Sequence, residues 1–172
     1  MVKEVTQQAA SAFACIGLVN PKSPENVGSV LRAAGCYGAS SIFYTGTRYF
    51  RASRYVTDTK KVHQRIPALG VDDLRSVLPK DATPVAIELV PGAIALPEYQ
   101  HPKKAFYIFG PEDGSVDKSL LNWCRDVVYI PTWGCMNLAA TVNVVLYDRL
   151  VKSSHWQLDP PLPSVVTACP VI

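Results

Sequence analysis

The strongest constraint on the fold is Phe13-Ala14-Cys15-Ile16-Gly17-Leu18-Val19-Asn20, an unbroken apolar run of strand length closed by Asn20-Pro21. A half-buried strand alternates apolar and polar residues. A run without alternation needs cover on both faces, as the strands of parallel sheets have. Ser23-Pro24-Glu25 follows directly and spells a helix start. Ser23 is the N-cap, Pro24 takes the first helical position, and Val27, Val30, Leu31 and Ala34 give a helical stripe as far as Gly35 or Gly38.

The same alternation continues along the chain. Strands are predicted at Ser41 to Thr45, Pro84 to Leu89, Lys104 to Phe109 and Val127 to Ile130, the last broken by Pro131. Helices are predicted at Val71 to Leu78, at Asp117 to Arg125 with Ser115 or Asp117 as cap, and at Asn137 to Lys152. The last is apolar nearly all round, which predicts deep burial, and it carries Asn143 as a polar residue expected to bond across the core or a dimer contact. Strands alternating with helices give an α/β fold, an open and mostly parallel sheet with helices on both faces.

Length and composition set the domain count. A chain of 172 residues, 48% apolar, makes one domain. We divide it into an N-terminal extension (1–12), the domain proper (13–153) and a C-terminal tail (154–172) holding Pro160, Pro161, Pro163 and Pro170. Only 18% of residues are charged, so the surface is thin in charge and a homodimer is expected. No apolar run is long enough to cross a bilayer and the N-terminus is too polar for a secretory signal, which predicts a cytoplasmic protein. Cys15, Cys36, Cys124, Cys135 and Cys169 never form a C-x-x-C pair, and His63, His101 and His155 stand apart, so neither a disulfide framework nor a metal site is expected.

Charge is unevenly placed. From Arg48 to Arg65, six cations (Arg48, Arg51, Arg54, Lys60, Lys61 and Arg65) face the single acid Asp58, and the rest of the chain is net negative by two. With Tyr49, Phe50 and Tyr55 interleaved, the segment reads either as an RNA contact or as a solvated loop whose aromatics pack down.

The turns after the strands carry the chemistry, because ligands of open α/β sheets bind outside the carboxyl ends of strands. None has the spacing of a dinucleotide fingerprint or a phosphate-binding loop, and no G-x-S-x-G elbow is present. Three stretches resemble, in order, the motifs of the SpoU/TrmH-type RNA 2′-O-methyltransferases of the SPOUT class. They are Asn26-Val27-Gly28-Ser29-Val30-Leu31-Arg32-Ala33-Ala34, Phe109-Gly110-Pro111-Glu112-Asp113-Gly114-Ser115, and Ile130-Pro131 followed by Cys135-Met136-Asn137-Leu138-Ala139. Cys135 departs from the pattern, standing where the family commonly has serine.

The resemblance implies a C-terminal trefoil knot, a dimer paired through it, and S-adenosylmethionine as cofactor. It implies catalytic roles for Arg32, Asn26 and Asn137, cofactor contacts from the loops around Leu89, Gly110, Ile130, Cys135 and Met136, and a supporting role for Glu112. Each residue also has a plainer reading: Arg32 as a surface cation, Asn26 and Asn137 as helix-terminal caps, Glu112 as a turn acid, and Cys135 as a small filler. The implied reaction is methyl transfer to a ribose 2′-hydroxyl of RNA. Transfer RNA is favoured over ribosomal RNA because the chain leaves no room for an added RNA-binding domain. The alternatives are an RNA-binding protein of this fold without turnover and a nucleotide-binding enzyme of other chemistry.

Overall fold

The computed structural model describes residues 12–49 and 66–153. Its order is β1 (Phe13–Leu18), α1 (Pro24–Tyr37), β2 (Ser41–Tyr44), β3 (Ala68–Gly70), a 3-10 turn (Leu74–Val77), β4 (Thr83–Ile87), β5 (Ile94–Ala95), a second 3-10 turn (Leu96–Glu98), β6 (Lys104–Phe109), α2 (Lys118–Trp123), β7 (Asp126–Tyr129) and α3 (Leu138–Lys152). The strands form one seven-stranded sheet, ordered β3-β2-β1-β6-β4-β7-β5, and every pairing is parallel.

The unalternating strands sit in the middle, as their composition requires. On one face Ile16, Leu18, Tyr107 and Phe109 pack with Val27, Val30 and Leu31 of α1 and Val142, Val145 and Leu146 of α3. On the other, Cys15, Phe106 and Ile108 pack with Leu74, Val116 and Leu120 beneath the first 3-10 turn and α2. Helices therefore cover both faces, and each fully buried aliphatic side chain contributes about 1.5–3 kcal/mol.

The helix ends follow their local chemistry. Ser23 accepts from the Asn26 amide and caps α1, which runs through Gly35 and stops at Gly38, in the left-handed region at φ 68° where a side chain is disfavoured. Asp117, not Ser115, caps α2.

Three expectations need correction, and two short strands went unpredicted. The helix predicted from Val71 to Leu78 is a single 3-10 turn capped by Asp73; the segment is too short, ahead of Pro79, to propagate a helix. β3 and β5, of three and two residues, are edge strands that neighbours recruit and that are too short to show a period. The long helix is not buried all round, for Val144, Tyr147 and Val151 stand exposed on one stripe. Within the chain, Asn143 does not bond across the core but donates back to the Ala139 carbonyl of its own helix (2.8 Å).

A polar lock ties the C-terminal half of α3 to the end of the sheet where the strands begin. Arg149 donates to the carbonyls of Pro102 (2.6 Å), Lys103 (2.7 Å) and Phe13 (3.1 Å). Asp148 pairs with Lys152 (2.7 Å) and with Nε2 of His101 (2.8 Å), whose Nδ1 meets the Tyr107 hydroxyl at 2.6 Å. This pattern suits a neutral imidazole that donates from Nε2 and accepts at Nδ1. Burial holds the Tyr107 hydroxyl up at about 12 and pushes His101 below its ordinary 6.5; the Asp148 carboxylate opposes the latter shift, and the Arg149 and Lys152 charges add to it.

A histidine depressed in the fold binds its proton more readily when unfolded, so its contribution to stability is complete above about 6.5 and is lost as pH falls through the folded value. Thermal melts between about pH 7.5 and 5.5 should show a falling Tm in the native protein and a flatter profile in His101→Gln. Equal slopes in the two proteins would contradict the neutral, buried imidazole.

Candidate functional site

At the opposite end of the sheet, where β4, β6 and β7 finish, their loops close around a cavity of about 810 Å³. Its wall is built from Ile87, Glu88 and Leu89 after β4, the turn from Phe109 to Gly114 after β6, and Tyr129 to Met136 after β7, with Leu138 and Thr141 from α3. Leu89, Gly110, Ile130, Cys135 and Met136, the five predicted cofactor contacts, all lie in this wall.

The predicted polar residues meet beside it. Glu112 accepts from the backbone amides of Lys22 (2.8 Å) and Ser23 (3.0 Å) and from the side-chain amide of Asn26 (3.0 Å). Asn137 donates its side-chain amide to the Asn26 side-chain oxygen Oδ1 at 2.7 Å. Partial burial pushes the Glu112 carboxyl up, but the bonds from Asn26, Ser23 and Lys22 outweigh it, and the group is held below its ordinary 4.5.

The local chemistry explains why these groups are available. Ser23 already caps α1, so the Asn26 side chain faces Glu112 and Asn137 instead of a backbone amide. Asn137 does two things at once: its oxygen accepts from Ala139 (2.8 Å) and Ala140 (3.3 Å) and caps α3, while its nitrogen bridges to Asn26. The three motifs are joined side chain to side chain, Glu112 to Asn26 to Asn137.

Arg32 is not part of this chain. It lies exposed on α1, outside the cavity wall. Arg48, predicted as an RNA contact, pairs with Asp113 (2.9 Å) and also donates to the Asn20 carbonyl. Arg51, Arg54, Lys60, Lys61 and Arg65 lie outside the described residues, as do most of the N-terminal extension and the C-terminal tail. Cys135 is an exposed thiol.

Among the cavity residues that the sequence did not single out, two stand out. Trp133 stands wholly exposed at the rim, in a turn held by the Thr132 hydroxyl donating to Gly134 (2.7 Å). Glu88 directs one carboxylate oxygen to the Leu89 amide (3.1 Å) and the other to the Val116 amide (2.9 Å). The Leu89 N–H is thereby used, which leaves its carbonyl for a ligand. A strand followed by glutamate carries no motif, and only the close approach of the Gly110 turn to Glu88 reveals it: a Cβ on Gly110 would come to 3.3 Å from its carboxylate.

Apolar walls, open backbone groups and glycine turns suit a flat heterocycle with a flexible polar chain, and the carboxylates of Glu88 and Glu112 suit a cation. Among the described residues no group of three or more His, Cys, Asp and Glu could hold a metal, and no helix is long and apolar enough to cross a membrane.

The sequence profile of the SpoU rRNA methylase family matches residues 14–147. No curated protein matches the chain. The fold is similar to that of the A. aeolicus TrmH/SpoU tRNA modifying enzyme, with TM-score 0.72 and 17% identity over 83% of this chain and 76% of that one. AviRb, a SpoU methyltransferase from Streptomyces viridochromogenes solved with AdoMet, gives TM-score 0.69 and 19% identity over 83% of this chain and 58% of its own. A structure concerning the 2-OH methylation of C/U34 on tRNA gives TM-score 0.70 and 21% identity over 82% and 96%. The chain belongs to the SpoU rRNA methylase family and is an S-adenosylmethionine-dependent RNA methyltransferase.

Proposed function

We propose that the acceptor is a ribose 2′-hydroxyl, in tRNA rather than rRNA. The observation that carries this reading is the Glu112–Asn26–Asn137 chain, which joins all three motifs of the 2′-O-methyltransferase pattern beside the cavity. The match to a structure concerned with 2-OH methylation of tRNA along 96% of its length supports the choice of RNA.

The bound cofactor supplies a methyl group activated on a sulfonium. The chain contributes alignment and charge. Asn26 and Asn137 hold the acceptor ribose in line with the cavity, and Glu112 fixes the orientation of Asn26. The Arg32 guanidinium stabilises the alkoxide that forms as the hydroxyl gives its proton to solvent. Its exposure away from the cavity wall supports contact with RNA rather than with the cofactor. The cationic segment from Arg48 to Arg65 contacts the phosphate backbone, and Arg48 also braces the Asp113 turn.

The knot and the dimer belong to the same proposal. The last strand, β7, inserts between β4 and β5, and α3 then crosses back onto α1, an order that fits a threaded chain. The exposed stripe Val144, Tyr147 and Val151, with Tyr37 edge-on to Tyr147, supports pairing with a second copy. The compartment is the cytoplasm, a reading supported by four free thiols among the described residues.

Incubating the protein with total tRNA or rRNA and methyl-labelled cofactor tests the activity. We expect label in tRNA ribose, and a loss of about 10²-fold or more in Arg32→Ala with cofactor affinity unchanged. Label confined to rRNA or to bases would overturn the acceptor, and RNA binding without any label would mean a fold that has lost turnover. Light scattering at micromolar concentration should give two chain masses, falling to one in Tyr147→Asp; a monomeric native protein would remove the dimer.

A further inference from the structure

We infer that Glu88 selects the cofactor by charge, favouring the cationic methyl donor over its neutral product. Among the described residues, those lining the cavity include two ionisable carboxylates, Glu88 and Glu112, and no Lys, Arg or His. Among the described residues neither carboxylate has a cationic partner. Glu112 is occupied by three donors that join it to the start of α1. Glu88 is placed differently: each of its oxygens accepts one backbone amide, from Leu89 and from Val116, and retains acceptor capacity. These bonds tie the β4 end to the turn after β6 and hold the carboxylate against Gly110, in the wall of the cavity.

The ligand changes charge during the reaction. S-adenosylmethionine carries a sulfonium and an ammonium against one carboxylate, a net charge of about +1, whereas S-adenosylhomocysteine has given up the methyl group and with it the sulfonium charge. A wall whose described residues hold fixed negative charge and no positive charge attracts the first more than the second. For a unit charge in a partly solvated cavity, the difference amounts to about three- to tenfold in affinity. Glu88 thus loads donor and loosens spent product, while its two backbone bonds keep the carboxylate from swinging into water.

Calorimetric titration of the full chain with S-adenosylmethionine, S-adenosylhomocysteine and sinefungin, which carries an amine in place of the sulfonium, tests this without turnover. In Glu88→Gln the dissociation constants of the two cations should rise by about three- to tenfold, and that of the neutral product should stay within about twofold. Equal weakening of all three ligands would mean a neutral or merely structural contact, and no change in any would remove Glu88 from recognition; either result overturns the inference. The native protein gives a second reading that needs no variant. Its preference for the donor over the product should shrink as salt rises from about 0.01 to 1 M, and a flat preference would contradict a charge mechanism. The inference rests on the cofactor assignment, whose own failure would appear as no binding of any of the three ligands to the native protein.

Discussion

The bridge from Asn137 to Asn26, at 2.7 Å, is the contact on which the site depends. Each asparagine begins or nearly begins a helix, and each helix packs on the same face of the sheet. Glu112 completes the bridge by gripping Asn26 and the two backbone amides before it, so the turn after β6 is fixed to the start of α1. Three segments separated by 86 and 111 residues in sequence become one polar corner at the cavity edge. A side-chain bond between two neutral amides contributes only about 0.5–1.5 kcal/mol to stability. Its value is in position, since methyl transfer needs alignment more than chemistry from the protein.

That corner holds still because α3 is anchored at its far end. Arg149 closes three carbonyls where the strands begin, and Asp148 joins His101 to Lys152. The helix therefore runs between two polar clamps, one structural and one at the site, across an apolar contact with α1 through Val142, Val145 and Leu146. Movement at the structural end would be carried along a rigid element to Asn137.

Much of this was legible in the chain. The run from Phe13 to Leu18 announced a buried parallel strand, Ser23-Pro24 a helix start, and three separated motifs a single site. What was not legible depends on contacts between distant residues. His101 and Asp148 lie 47 residues apart and acquire meaning only when α3 lands beside β6. Glu88 follows a strand without any motif and is given its role by an amide 28 residues on. The apolar all-round character of α3 suggested depth, yet Val144, Tyr147 and Val151 face outward: a periodic pattern shows that a surface seeks cover, not whether the cover is its own core. Arg48 read as a nucleic-acid contact from charge alone, and the fold gives it Asp113.

The most direct test of the account is a double-mutant cycle across the bridge, with Asn26→Ala, Asn137→Ser and their combination compared for kcat/KM of methyl transfer into total tRNA. Serine keeps the helix cap while removing the bridging amide, so the cycle isolates the contact itself. The account predicts that each single change costs activity and that the double variant is little worse than either, a coupling of about 1 kcal/mol or more. Losses that simply multiply, with no coupling, would show that the two asparagines act independently and that the bridge does not organise the site.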